Sequence, residues 1–121
     1  MLWCALALTA WITQSPGAVA AVFGALVGAA LGSFVTQATY RLPRRIPLDD
    51  PPSACPACGV PIPARHNVPV LGWLLLRGRC GACRVPIPVR YLLLELAGAA
   101  GGAWACRLAA EALIRSAGPS I

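Results

Sequence analysis

The chain has 121 residues, of which 58% are hydrophobic and 12% are charged, a balance that excludes an ordinary soluble domain. Its formal net charge is +6, and all ten basic residues are arginine. Residues 1–40 contain no Asp, Glu, Lys or Arg, although a soluble domain of this size needs charged side chains on its surface. The composition therefore predicts a small membrane protein.

The first apolar part of the chain contains a predicted transmembrane helix. Residues 1–14 lack the basic start of a secretory signal, so we expect an outer-face segment or a helical extension there. After the break at Ser15-Pro16-Gly17, residues 18–40 are long enough for roughly 35 Å of helix, which spans about 30 Å of hydrocarbon. Three glycines at every fourth position predict a face for close helix packing, the alternative being that small residues are simply common here: Gly24, Gly28 and Gly32.

The middle segment concentrates the charge. Residues 41–90 hold eight arginines and two aspartates, which gives the full net charge of +6. Arginine in a short loop beside membrane spans indicates the cytoplasmic side, so the amino terminus is expected outside. The proline-rich tether after Leu42-Pro43 carries Asp49-Asp50, which we interpret as solvated rather than as a catalytic carboxylate pair.

Two Cys-x-x-Cys pairs follow, and they belong to an internal repeat. Residues 55–65 read CPACGVPIPAR and residues 80–90 read CGACRVPIPVR, with eight identities in eleven positions. Pairs of this form are typical of a structural zinc site with four thiolates, and a reducing cytoplasm disfavours disulfides. The alternative is four free thiols in a loop. We predict Zn²⁺ bound by Cys55, Cys58, Cys80 and Cys83.

Between the repeats, residues 66–78 form an apolar run that is too short to span a bilayer. We favour an interfacial position with Trp73 at the headgroup level, the alternative being the small core of the zinc module. His66 is a candidate fifth ligand, but four thiols already complete a structural site. A hydrogen-bonding role is therefore preferred for His66.

A second membrane helix is predicted over residues 89–110, with the carboxylate of Glu95 snorkelling toward the cytoplasm. Gly98 and Gly102 repeat the four-residue spacing, and we expect the glycine faces of both helices to await partners outside this chain. An i, i+4 ladder of charges should extend the helix until Gly118-Pro119 ends it. The ladder consists of Arg107, Glu111 and Arg115.

The predicted fold is a mainly α membrane protein, with two transmembrane helices flanking a small cytoplasmic zinc-knuckle module of little regular structure. Three parts follow along the chain. Residues 1–40 are the amino-terminal apolar segment and first helix, 41–90 the four-cysteine module, and 91–121 the second helix and a short tail.

Several short motifs occur in order between residues 28 and 98. They are Gly-Ser-Phe at 32–34, Tyr-Arg-Leu-Pro at 40–43, both cysteine pairs, Asn-Val-Pro-Val-Leu at 67–71, Leu-Arg-Gly-Arg at 76–79, and Arg-Tyr at 90–91 followed by Glu95-Leu96. This ordered set closely resembles the amino-terminal domain of the bacterial prepilin peptidases.

The resemblance implies a multi-pass bacterial inner-membrane enzyme of type IV pilus and type II secretion systems. Members of the family cleave the leader from prepilins or pseudopilins on the cytoplasmic side, and many methylate the new amino terminus from S-adenosylmethionine. The family's cysteine domain is associated with methylation and with metal. Cys55, Cys58, Cys80 and Cys83 fall on the family's four cysteines, and Glu95 on its acidic residue after Arg-Tyr.

Some features depart from the family pattern. The family's peptidase half carries two catalytic aspartates on later membrane helices, one in a Gly-x-Gly-Asp motif, and Asp49 and Asp50 match neither. We therefore expect no peptidase activity from this chain on its own, no catalytic residue within it, and a partnership with peptidase-half helices or a separate subunit. The cofactor-binding residues stay open, because five positions differ from the family: Thr36, His66, Gly72, Pro88 and Leu92.

Two other functions fit parts of the sequence. A freestanding methyltransferase is one, although no Gly-x-Gly-x-x-Gly follows a strand. The other is a non-enzymatic zinc-stabilised membrane module that docks a partner protein. We expect the bilayer and no nucleic acid as a partner, because a juxtamembrane arginine cluster pairs most simply with anionic headgroups. The particular prepilin, the oligomeric state, and whether the chain is complete, split or degenerate stay open.

Overall fold

The computed structural model describes residue 10 and residues 15–48 and 53–118. The expectations for residues 1–9 and 11–14, and for Asp49-Asp50, lie outside the described residues. The main helices are α1 (Pro16–Arg41), the five-residue α2 (Leu71–Leu75) and α3 (Arg90–Ala117). Two 3₁₀ turns lie at Leu42–Arg44 and Ala64–His66. The predicted fold class is confirmed, since two candidate membrane helices flank four clustered cysteines and the described residues contain no strand.

Local sequence explains where α1 begins and ends. Pro16 occupies the first turn, where a missing N–H costs nothing, and the amide of Ala18 donates to the carbonyl of Ser15 at 3.0 Å. Arg41 is the last α-helical residue, after which Leu42–Arg44 tightens into a 3₁₀ turn. The buried Arg41 guanidinium donates to the carbonyl of Pro47 at 2.6 Å, which folds the chain back after the helix.

The second long helix extends past its predicted span. It runs from Arg90 to Ala117, because the residues after 110 include good helix formers and the Nε of Arg107 pairs with Glu111 at 2.9 Å. Arg115 instead donates to the backbone carbonyl of Glu111 at 3.2 Å. The helix ends before Gly118, which has φ +57°. Of the predicted charge ladder, the ion pair between Arg107 and Glu111 is therefore present, whereas Arg115 bonds the backbone instead of the Glu111 carboxylate.

Both long helices expose most of their apolar side chains. The most apolar windows of α1 and α3 are only 17% and 6% buried within the protein, whereas an apolar core helix of a soluble protein is mostly buried. On α1, Phe23 is 64% exposed and Leu26 is 68% exposed. With lengths of 26 and 28 residues, both helices are long enough to cross a bilayer. The exposed apolar surfaces of α1 and α3 therefore fit a lipid environment.

The two helices are antiparallel and meet along their glycines. A Cβ added to Gly24 would overlap the carbonyl of Gly102, and one added to Gly28 would overlap the carbonyl of Gly98. One turn further along, Gly32 faces the backbone of residues 94 and 95. This line of backbone contacts between the two helices is here called the glycine seam. The predicted close-packing faces are confirmed. The expectation that they await partners outside the chain is wrong, because each face covers the other.

Candidate metal centre and adjoining cleft

The two cysteine knuckles are copies of one backbone structure. Each knuckle is closed by an isolated antiparallel bridge and by hydrogen bonds that recur with an offset of 25 residues, as the internal repeat predicts. The bridges join Ala54 to Pro61 and Arg79 to Pro86. The matching bonds run from the amide of Cys55 to the carbonyl of Val60 (3.0 Å), from Cys80 to Val85 (2.9 Å), from Gly59 to Cys55 (2.8 Å) and from Arg84 to Cys80 (3.1 Å).

The four knuckle sulfurs converge on one point. The Sγ atoms of Cys55 and Cys83 are 3.8 Å apart, those of Cys58 and Cys80 are 4.0 Å apart, and all four lie within 4.8 Å of one another. Tetrahedral zinc with Zn–S bonds of about 2.3 Å requires sulfurs separated by roughly 3.8 Å. The cluster can therefore hold a metal ion, and its spacing fits zinc.

The environment of the cluster shifts two of its thiols in opposite directions. The pKa of Cys80 is lowered to about 6, mainly because the backbone amides of Cys83 and Ala82 donate to its sulfur. At Cys83 the amide of Val85 lowers the pKa, but desolvation and the neighbouring thiols outweigh it and raise the pKa to about 11. Because a thiolate is the metal-binding form, the lowered pKa favours binding of a cation by the Cys80 thiol.

The two knuckles differ at the residue after the second cysteine, which has a left-handed backbone in both copies. Gly59 has φ +70° and Arg84 has φ +62°. A left-handed conformation costs a residue with a side chain roughly 1 kcal/mol more than glycine. We predict that Arg84→Gly stabilises the module by about 1 kcal/mol and that Gly59→Ala destabilises it by a similar amount.

Equilibrium unfolding of both variants in mixed micelles measures these effects. No atom outside the immediate backbone lies within 4 Å of a Cβ at Gly59, so a steric clash does not contribute to its expected loss. Shifts of the same sign in both variants would contradict the assignment to backbone conformation.

Trp73 belongs to the module. Its indole Nε1 donates to the carbonyl of Ile87 at 3.3 Å, and its ring packs where a side chain on Gly78 would otherwise lie. Gly72 is buried against the backbone of His66. These contacts support the alternative prediction, in which Trp73 belongs to a small core of the cysteine module. They do not fit a tryptophan whose ring faces the lipid headgroups.

His66 lies beside the second knuckle. Its ring atoms Cε1 and Nδ1 are 3.9 Å from the position that a Cβ of Gly81 would occupy. In the part of the chain that the structure describes, the group able to hold a metal contains the four cysteines and not His66. The hydrogen-bonding role predicted for this side chain stays a prediction.

Glu95 joins α3 to the module. This buried residue is 8% exposed, and its Oε2 accepts a hydrogen bond of 2.6 Å from the amide of Val70, just before α2. Val70 has φ +65°, which is strained for a β-branched residue. The carboxylate therefore stabilises an unfavourable backbone conformation 25 residues away, a contact that no local sequence pattern indicates.

We predict that Glu95→Ala destabilises the protein by about 1–3 kcal/mol, because the partly buried amide of Val70 loses its hydrogen-bond partner. Glu95→Gln should lose less, since a carboxamide oxygen can accept the same bond. Unfolding of both variants in mixed micelles provides the comparison. A Glu95→Ala variant as stable as the parent chain would contradict the structural role of this bond.

A cleft of about 600 Å³ separates the module from the adjoining ends of α1 and α3. Its polar lining residues were not predicted as site residues from the sequence, because they are far apart along the chain and share no spacing motif. At one edge the Gln37 amide donates to the Ser53 hydroxyl at 3.5 Å. Polar groups that line the cleft include Gln37, Arg41, Ser53, His66, Asn67 and Glu95.

Three of the five departures from the family pattern, His66, Gly72 and Pro88, line the cleft, whereas Thr36 does not. Thr36 is 3% exposed, and its Oγ1 donates to the carbonyl of Gly32 in the same helix at 2.8 Å. Its polar group is therefore satisfied within α1, and Thr36 is not among the residues that line the cleft.

In the residues that the structure describes, the fold and site define a membrane protein in which two long apolar helices flank a duplicated four-cysteine module. Residues 26–108 match the family model for the bacterial peptidase A24 N-terminal domain. Because this match covers more than half of the chain, the protein belongs to that family. The matched residues include the four cysteines, Glu95 and four of the five glycines at the helix contact, namely Gly28, Gly32, Gly98 and Gly102.

Relatives named prepilin leader peptidase/N-methyltransferase support the assignment. The protein of Neisseria gonorrhoeae is 40% identical over 108 residues, covering 68% of this chain and 36% of the relative. The protein of Burkholderia pseudomallei K96243 is 36% identical over 118 residues, which cover 77% of this chain and 38% of the relative. The Klebsiella pneumoniae relative is 46% identical over 78 residues, which cover 60% of this chain and 34% of the relative.

The chain thus spans about a third of the length of these relatives. No solved structure gives a significant match. The family and the two apolar helices identify an inner-membrane protein.

Proposed function

We propose that this chain contributes the amino-terminal domain of a prepilin-processing system in the inner membrane. The family match over residues 26–108 carries this proposal, because it covers the complete cysteine cluster and most of both long helices. The substrates are prepilins or pseudopilins, and the leader is cleaved by aspartates on other membrane helices. A non-enzymatic docking module is not favoured, because the relatives share an enzyme's name.

In this proposal the module is cytoplasmic and the amino terminus is outside. Residues 53–90 carry five arginines and no acidic residue, a bias expected on the cytoplasmic side of a membrane span. Residues 1–40 and 91–121 then form the membrane parts on either side of the module at 41–90. Labelling of engineered end tags in spheroplasts tests the orientation, and both ends should be accessible from the periplasm.

The metal is Zn²⁺, bound by Cys55, Cys58, Cys80 and Cys83, and its role is structural. Two features support this assignment. The sulfur separations fit a tetrahedral ion, and four thiolates leave no open coordination position for a substrate. The metal would hold the two knuckles together below the helix pair, and the cleft beside it would keep its shape.

The cleft is the place where a methyl donor would bind this domain. Its volume of about 600 Å³ falls within the roughly 300–1,000 Å³ typical of small-molecule sites. S-adenosylmethionine is the donor that the family resemblance implies. Calorimetry on the purified chain in nanodiscs tests this point, and the absence of binding heat for S-adenosylmethionine would contradict it.

Coexpression tests the processing role. The chain is produced with a prepilin and with a membrane protein that carries a Gly-x-Gly-Asp helix but lacks a cysteine module. We expect the two membrane proteins to copurify and the leader to be removed, with the mature amino terminus identified by mass spectrometry. A partner that cleaves the prepilin equally well without this chain would contradict the proposal.

A further inference from the structure

The short helix α2 turns three leucines away from the module. Leu71, Leu74 and Leu75 are 57%, 52% and 69% exposed. The opposite side of this short helix is occupied, since Gly72 is buried and the Trp73 ring packs toward Gly78. The exposed leucines form a continuous apolar surface, here called the leucine face, on a segment that is otherwise held by polar and backbone contacts.

The level of this face follows from the bond between Glu95 and Val70. Glu95 lies five residues after the first residue of α3, Arg90, which corresponds to about 7.5 Å along the helix axis. The 2.6 Å bond ties the residue before α2 to the first two turns of α3, so α2 begins near this end of the membrane helix.

Arginine and tyrosine pairs at the ends of the long helices indicate where the headgroups lie. The Arg44 guanidinium stacks 4.1 Å from the Tyr40 ring, and the Arg90 guanidinium lies 5.6 Å from the Tyr91 ring. Tyrosine and arginine are the residues that anchor helix ends at the membrane interface. The bond to Glu95 keeps the leucine face near these anchors, at the level of the membrane interface.

The surroundings of the face favour lipid over protein as its occupant. The first turns of α3 also expose apolar side chains, with Leu93 57% exposed and Leu96 44% exposed. The segment from residue 53 to residue 90 has five arginines and no acidic residue, which complements anionic headgroups. Apolar side chains below and arginines above are the arrangement of a segment that lies in a membrane interface.

We propose that α2 is an interfacial membrane anchor, whose leucine face inserts into the lipid of the same leaflet and holds the cysteine module against the membrane. The occupant is phospholipid, contacted through Leu71, Leu74 and Leu75, while Arg77 and Arg79 lie next to its headgroups. This anchor is independent of metal binding and of prepilin processing, and it goes beyond the proposed function.

Photocrosslinking of the full chain in nanodiscs of phosphatidylethanolamine and phosphatidylglycerol tests the anchor. A benzophenone amino acid replaces Leu75, with Leu26 in α1 as the lipid-facing reference and Ala64 as the exposed reference on the module. We expect phospholipid adducts at position 75 with a yield within about threefold of position 26 and several-fold above position 64. A yield at 75 equal to that at 64, or a crosslink to another protein chain, would overturn the proposal.

A second measurement uses the natural sequence and so does not depend on how a variant folds. Nanodiscs that contain a lipid with a nitroxide near its headgroup broaden the methyl resonances of nearby side chains. Broadening of the Leu74 and Leu75 methyl signals, with those of Val60 in the first knuckle unaffected, is the expected result. Sharp signals from all three residues would overturn the anchor.

Discussion

Replacing Gly102 by leucine is expected to separate α1 from α3, whereas replacing Gly101 by leucine should leave the helix pair intact. A Cβ on Gly102 would overlap the carbonyl of Gly24, which is backbone and cannot rotate away. The expected loss is roughly 3 kcal/mol or more, at the upper end of overpacking effects, because helix association in lipid depends on close contact between small residues.

Gly101 provides a matched control. It is the neighbouring residue in the same helix, and no atom lies within 4 Å of a Cβ placed there. Leucine is a better helix former than glycine, so Gly101→Leu should be neutral or slightly stabilising. Unfolding in mixed micelles, followed by circular dichroism, compares the two variants. Equal stabilities would contradict the glycine seam as the contact between the helices.

Replacing Cys55 by serine is expected to remove tight zinc binding and to loosen the module. The buried Cys55 provides one of four convergent sulfurs, and its thiol is 3.8 Å from that of Cys83. The loss of affinity should exceed the roughly 10–100-fold that removal of an outer hydrogen-bond partner causes at a metal site. Competition with a chromophoric chelator measures the affinity, and limited proteolysis between residues 53 and 90 reports the loosening.

Cys106→Ser is the control for this variant. Cys106 lies in α3 next to Gly24, within the helix pair and outside the cysteine cluster. It should keep the zinc affinity of the parent chain. If Cys55→Ser and Cys106→Ser bound zinc equally well, the metal would not be held by the four knuckle thiols.

The features best predicted from the sequence are those with a local signal. The apolar run at 18–40 lies within the observed α1, and the repeat with a period of 25 predicts two knuckles whose hydrogen bonds coincide. The clustering of the four cysteines follows from the same repeat. Within α1 and within each knuckle, residues close in sequence determine the structure, so spacing and composition are sufficient to indicate it. The cysteines that meet lie 22 and 28 residues apart, and their clustering is predicted from the metal-ligand spacing of the two pairs.

Pairing between distant segments was not predictable in the same way. The glycine spacing of each helix is visible in the sequence, but the antiparallel register that places Gly28 on Gly98 depends on both helices together. The bond from Val70 to Glu95 also escaped prediction, because a backbone amide leaves no mark in the sequence. The position of Trp73 could not be predicted either, because an indole side chain suits a membrane interface and a small protein core equally well. Its hydrogen bond to the carbonyl of Ile87 places it in the core of the module.

These contacts change the interpretation of the helix pair. The glycine faces are already used by each other, so partner helices would have to pack against the other surfaces of α1 and α3. Exposed side chains on those surfaces include Phe23, Leu26 and Trp104. The module is tied to this pair through the bonds of Glu95 to Val70 and of Gln37 to Ser53, and its four cysteines bring the two knuckles together.

The central claim is that the four cysteines hold a structural metal. X-ray absorption at the zinc edge of the purified chain in nanodiscs tests this claim most directly. We expect one zinc per chain with four sulfur neighbours at about 2.3 Å and no nitrogen or oxygen in its first coordination sphere. A metal-free protein with four readily titrated thiols and an unchanged fold would contradict it.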